Sequence, residues 1–109
     1  MSYDEGLAQR IRKLVADRSG LTEKKMFGGV SFLIQGNMAC GVLKDEMIVR
    51  IDPEQHDAAV AKPHVRTFDY AGHPMQGWIF VGPAACASEV GLKEWVDTGI
   101  RYALSLSPK

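Results

Sequence analysis

Two cysteines, three histidines and a glycine pair set behind two lysines are the residues whose chemistry could exceed packing: Cys40 and Cys86, His56, His64 and His73, and the run Lys24-Lys25-Met26-Phe27-Gly28-Gly29. Zinc sites pair their ligands about two to five residues apart. The histidines stand eight and nine residues apart and neither cysteine has such a neighbour, so no metal is expected and the histidines read as surface or turn residues. Cys40 lies inside the strand-like Met-Ala-Cys-Gly-Val, whereas Cys86 directly precedes a helical segment, where a thiol can become acidic. No base accompanies it. No carboxylate pair stands apart from ordinary turn and surface acids, so neither a catalytic residue nor a cofactor is expected. One alternative stays open, a small-ligand or enzymatic pocket near His73, Trp78 and Cys86.

A phosphate-cradling glycine loop needs a helix N-terminus after it, because the anion sits on free N–H groups at the positive end of the dipole. Here the glycines run into Val-Ser-Phe-Leu-Ile-Gln, a β-branched and aromatic stretch, and no Lys-Ser or Lys-Thr follows. Gly28 and Gly29 therefore read as a bulge or close backbone crossing where the chain joins a sheet, with Met26 and Phe27 packing beside it. The basic residues worth naming are Arg10, Arg12 and Lys13, with Lys24 and Lys25. Solvated charge is their plain reading, and contact with a nucleic-acid backbone or a partner is the alternative.

The elements that position these residues are well punctuated. Leu7, Ile11, Leu14 and Val15 at helical spacing predict a helix over 4–18, with Ser2 and Glu5 as a capping box and Ser19-Gly20 as the stop. Strands are expected at Val30 to Gln35, Met38 to Lys44 and Met47 to Ile51, with turns at Gly36-Asn37 and Asp45-Glu46. Asp52-Pro53-Glu54-Gln55 opens a short helix that ends before Lys62-Pro63. Val65 to Tyr70 and Gln76 to Val81 form a second hairpin closed by Gly82-Pro83. From Ser88 a last helix carries Leu92, Trp95, Val96, Gly99, Ile100 and Ala103 on one stripe, with Glu89 to Lys93 and Asp97 to Arg101 as ion pairs. The fold class that follows is α+β, a two-layer sandwich in the order α-β-β-β-α-β-β-α, its antiparallel sheet of about five strands bearing helices on one face.

With Gly36-Asn37 as the turn, Phe32 faces Gly41 and covers it. That register puts Val30, Phe32, Ile34, Ala39, Leu43 and Ile48 on one face and Leu33, Met38, Cys40, Val42, Met47, Val49 and Ile51 on the other. Trp78 and Phe80 against Ile79 and Val81 repeat the pattern. A sheet with one wet side should alternate apolar and polar residues, so apolar side chains on both faces call for a second cover. A partner subunit, on the open face or its edge, is the simplest source, and a homodimer is expected.

The totals set the frame. A chain of 109 residues, 46% hydrophobic and 24% charged, suits one domain over 1–109. Thirteen basic residues balance thirteen acidic ones, leaving no global field to draw in a phosphate backbone. Sparse cysteines in apolar surroundings fit a reducing compartment, and no signal pattern or membrane-length apolar run is present, so a cytoplasmic protein is expected.

Lys-Lys-Met-Phe-Gly-Gly-Val-Ser-Phe, then Gly-Asn-Met-Ala-Cys-Gly-Val, then Met-Ile-Val-Arg-Ile resembles the N-terminal domain of the TfoX/Sxy proteins, bacterial regulators of competence for DNA uptake. Pro-His-Val-Arg-Thr-Phe-Asp-Tyr-Ala-Gly-His-Pro-Met-Gln-Gly-Trp is similar to the second half of small stand-alone members. The resemblance implies the α+β sandwich read above and action through transcription control without a catalytic residue set. Met26, Phe27, Gly28 and Gly29 carry over as signature residues with a structural role. Full-length competence regulators have a second, C-terminal domain; this sequence ends at Lys109 after its last helix, and a stand-alone version is the expectation.

Overall fold

A computed structural model describes residues 3–26, 28–70 and 72–108. Its first helix, α1 (Glu5–Val15), starts at Asp4, whose carboxylate accepts the Leu7 N–H at 3.1 Å. Asp4 thus takes the capping place expected of Ser2, which lies outside the described residues. Leu7, Ala8, Ile11 and Val15 are buried at helical spacing.

Six strands follow, where about five were expected: β1 (Leu21–Met26), β2 (Gly29–Ile34), β3 (Asn37–Leu43), β4 (Glu46–Arg50), β5 (Val65–Tyr70) and β6 (His73–Val81). They form one antiparallel sheet in the order β1-β2-β3-β4-β6-β5. The additional strand is β1, Leu-Thr-Glu-Lys-Lys-Met, paired throughout with β2. Its charged composition reads as loop because an edge strand on the solvent margin needs few apolar anchors.

Between β4 and β5 the chain turns through a short 3₁₀ segment (Pro53–Gln55) into α2 (His56–Val60). Asp52 starts it as expected, accepting the Glu54 N–H at 2.9 Å. After β6 come α3 (Pro83–Cys86) and the long α4 (Glu89–Ser105), begun by Ser88, whose hydroxyl accepts the Gly91 N–H at 3.0 Å. All four helices send side chains into one core against a single sheet face: Ile11, Ala59, Cys86, Leu92, Val96 and Ile100 meet Val30, Phe32, Val42, Met47, Val49, Ile79 and Val81. Gly99 lets α4 lie against β3, since a Cβ there would collide with the Ala39 carbonyl.

Register departs from expectation by one residue. The β2–β3 turn is Gln35-Gly36, with φ of 53° and 84°, and Ile34 pairs with Asn37. Asn37 belongs to the strand because its buried side-chain amide donates to the Ser107 carbonyl at 2.8 Å, tying the end of α4 to the sheet. The β3–β4 loop is likewise Lys44-Asp45. A bulge leaves Ala39 without a partner, because Phe32 pairs with Cys40 and Leu33 with Met38. Both Ala39 and Cys40 therefore point into the main core.

Candidate functional site

The face away from the helices is where unspent hydrocarbon gathers. A row of paired residues crosses it from edge to edge: Lys24, Ser31, Gly41, Ile48, Phe80, Arg66. Gly41 faces Ser31, and Phe32 lies on the opposite face, so the expected cover of Gly41 by Phe32 is corrected. The glycine is nevertheless obligatory. A Cβ there would meet the Val30 carbonyl oxygen at 2.6 Å and the Met38 methyl at 3.2 Å. Ile48, Phe68 and Phe80 form a second cluster, flanked by the half-buried Met38, Leu43, Met75 and Trp78. With Leu33, all of these side chains but Phe80 border a groove of about 380 Å³.

How Phe68, Met75 and Trp78 reach this face is a matter of backbone. Thr67 pairs with Ile79 and Asp69 with Pro74, so Phe68 alone stands opposite four residues, Met75 to Trp78. This large bulge turns at Gly77, with φ of 87°. His56 pins it. The Gly77 N–H donates to His56 Nδ1 at 2.9 Å, which leaves the ring proton on Nε2 to donate to Thr67 Oγ1 at 3.0 Å, while the Gly77 carbonyl accepts the Ile51 N–H at 2.8 Å. His56 is buried, not the surface residue expected, and both its nitrogens are committed. The lone Gly77 within a β-rich run was the signal for this bulge.

Cations cap the aromatic rims. The Arg66 guanidinium lies 4.3 Å from the Phe80 ring centroid and pairs with Glu46. Arg50 stands 5.0 Å from the Trp78 ring and 5.5 Å from Tyr102 of α4. Phe68 completes an aromatic group, its centroid 4.9 Å from Phe80 and 6.3 Å from Trp78.

The basic residues singled out by sequence do not converge. Arg10 pairs with Glu89 at 3.0 Å and donates to the Ala87 carbonyl, fastening α1 to the start of α4. Arg12 grips Glu23 of β1 through two nitrogens, at 2.8 and 2.7 Å, and reaches Glu5 at 3.2 Å. Hydrogen bonding to Arg12 holds the Glu23 carboxyl below its ordinary range. Lys24 pairs with Ser31 and Lys25 with Val30, so strand alternation sends the two lysines to opposite faces. Lys13 is exposed on α1.

Of the signature residues, Gly28 turns with φ of 77°, and Gly29 lies so close to β3 that a Cβ would run into the Val42 carbonyl. The glycines are thus a turn and a close crossing between strands. Met26 pairs with Gly29 through its backbone; its side chain and Phe27 lie outside the described residues.

A family model for the TfoX N-terminal domain matches residues 13–103. The chain belongs to the TfoX N-terminal domain family. No curated protein and no solved structure gives a significant match. In this TfoX N-terminal domain the thiols are packing groups. Cys40 is fully buried and its pKa is pushed up to about 12, and burial raises Cys86 to about 11 despite the nearby Arg10. Cys86 lies in the helix-side core, Trp78 on the open face and His73 exposed at the hairpin tip, so these three form no common pocket. Among the described residues no group of three or more His, Cys, Asp or Glu could hold a metal, and no helix is long and apolar enough to cross a membrane.

Proposed function

We propose that this chain is a non-catalytic regulatory module that acts by association, pairing with a second copy through the open sheet face, and that it serves transcription control as members of its family are taken to do. The observation that carries this reading is the second apolar cluster, Ile48, Phe68 and Phe80 with the half-buried Met38, Leu43, Met75 and Trp78 around a groove. Methionines and aromatic rings side by side on a sheet face are what interfaces are enriched in.

A second copy suits the surface on two counts. The chain is formally neutral, so two copies meet without net repulsion. The outer strands discourage edge pairing, since β1 carries Glu23, Lys24 and Lys25, and β5 carries Arg66 and Asp69 and is irregular at Phe68. The face is the remaining route. Nucleic-acid binding has less support, because Arg10 and Arg12 are spent on internal ion pairs and Lys24 and Lys25 diverge.

Sedimentation velocity across a concentration series tests the reading. The native chain should sediment as a dimer, and Met38→Glu, which places a charge on a half-buried position, should sediment as a monomer with an unchanged circular dichroism spectrum. A native chain that stays monomeric at high micromolar concentration overturns it.

A further inference from the structure

On the helix side of the sheet, α2 and α4 leave a cleft of about 600 Å³. Small-molecule sites range from roughly 300 to 1,000 Å³. Ala58 and Ala59 of α2 give one wall nothing larger than methyl groups. On the facing wall Trp95, Thr98 and Tyr102 recur at helical spacing. Gln55 and Lys62 flank the alanines, so the cleft sets a low aliphatic patch opposite an aromatic stripe, a shape that admits a flat ring.

Its charge is unbalanced. Lys62 and Arg101 both line the cleft, and neither pairs with a carboxylate among the described residues. Asp97, the acid that helical spacing would offer Arg101, is held instead by Lys93 at 2.8 Å and Arg18 at 3.5 Å. Asp52 is the one carboxylate in the lining, and it caps the Glu54 N–H. The Lys62 ammonium rests 5.2 Å from the ring centroid of the half-buried Trp95, so a cation and an indole stand side by side in the lining.

We infer that the cleft between α2 and α4 binds a planar aromatic anion of mononucleotide size, its ring stacked on Trp95 and its anionic group held by Lys62 and Arg101. The ring displaces Lys62 from the indole, and the freed ammonium meets the anion. This site does not rest on the association proposed above: its lining residues belong to α2, α4 and the segment between β4 and α2, and only Tyr102, through Arg50, approaches the open face.

The native chain has two tryptophans, and Trp78→Phe leaves Trp95 as the only reporter. That variant is titrated with adenosine 5′-monophosphate, adenosine and inorganic phosphate, following indole fluorescence. The native chain, Lys62→Ala and Arg101→Ala are titrated in parallel by calorimetry, which needs no reporter. The monophosphate should quench Trp95 saturably, and adenosine should bind at least about tenfold more weakly. Loss of either exposed cation should weaken the monophosphate about tenfold, as loss of one charged hydrogen bond does. No binding at millimolar monophosphate overturns the inference. So does equal affinity for adenosine, affinity for phosphate alone that matches the monophosphate, or indifference to both substitutions.

Discussion

Raising the pH should destabilise this protein through Cys40. The thiol lies in mid-strand on the helix side, between Phe32 of β2 and Val49 of β4, with no exposed surface, and burial lifts its pKa from 9.0 to about 12. In the unfolded chain the same thiol ionises near its ordinary value. Between those limits the unfolded state has lost a proton that the folded state keeps, so stability is full below about pH 9 and falls as pH rises toward 12. Each pH unit removes about 1.4 kcal/mol, or about 2 kcal/mol by pH 10.5. That is a sizeable part of the roughly 5–15 kcal/mol that holds a small domain together. The assay is urea denaturation near pH 8 and near pH 10.5 for the native chain and for Cys40→Ala. The substitution should cost about 1 kcal/mol at the lower pH and lose less on alkalinisation than the native chain does. The remaining ionisable groups are common to both proteins and cancel in the difference. Equal alkaline losses in the two proteins would refute the reasoning, as would rapid alkylation of Cys40 under native conditions.

Removing the His56 ring should leave the Gly77 N–H and the Thr67 hydroxyl without their partners, so His56→Ala is expected to cost about 3 kcal/mol in urea denaturation and to loosen any dimer, since the bulge it pins delivers Phe68 and Trp78. Asn37→Ala should cost about 1–2 kcal/mol and speed amide exchange in the last turn of α4, because the Ser107 carbonyl loses its donor; unchanged exchange there would contradict the tie. Lys24→Val with Lys25→Val should leave the fold intact by circular dichroism but make the chain aggregate on heating, as the β1 edge loses its guarding charges. Unaltered light scattering would show that the lysines do not protect that edge.

The punctuation of the fold was legible because it rests on local chemistry. Asp52 and Ser88 each cap the segment they announce, since a short polar side chain beside free N–H groups has one good use. The helix stripes were equally plain. What local chemistry could not reveal was competition from distant partners. Glu89 was expected to pair with Lys93 and Asp97 with Arg101, yet Arg10 takes Glu89, and Arg18 shares Asp97 with Lys93. Asn37 looked like a turn residue until the Ser107 carbonyl claimed its amide. His56 looked exposed for the same reason: its partners, Gly77 and Thr67, are brought near only by the second hairpin.

The most consequential slip was also the smallest. Moving each hairpin loop by one residue flips the side chains beyond it, because strand alternation has a period of two. Val42, Met47 and Val49, expected across the sheet from Val30 and Phe32, join them under the helices, and Leu43 and Ile48 go to the open face with Leu33 and Met38. Ala39 keeps its expected face only because the bulge beside it restores the phase. The hydrocarbon is therefore not divided evenly. Most of it fills the helix-side core, and the open face carries a compact apolar centre bounded by Lys24, Ser31, Glu46, Arg50 and Arg66. A bounded patch on a firm sheet would make the proposed interface selective, since a misaligned partner would bury one of those charges unpaired. Gly29, the second glycine behind the lysines, serves the same surface, because it lets β2 press against β3 at the border of the groove.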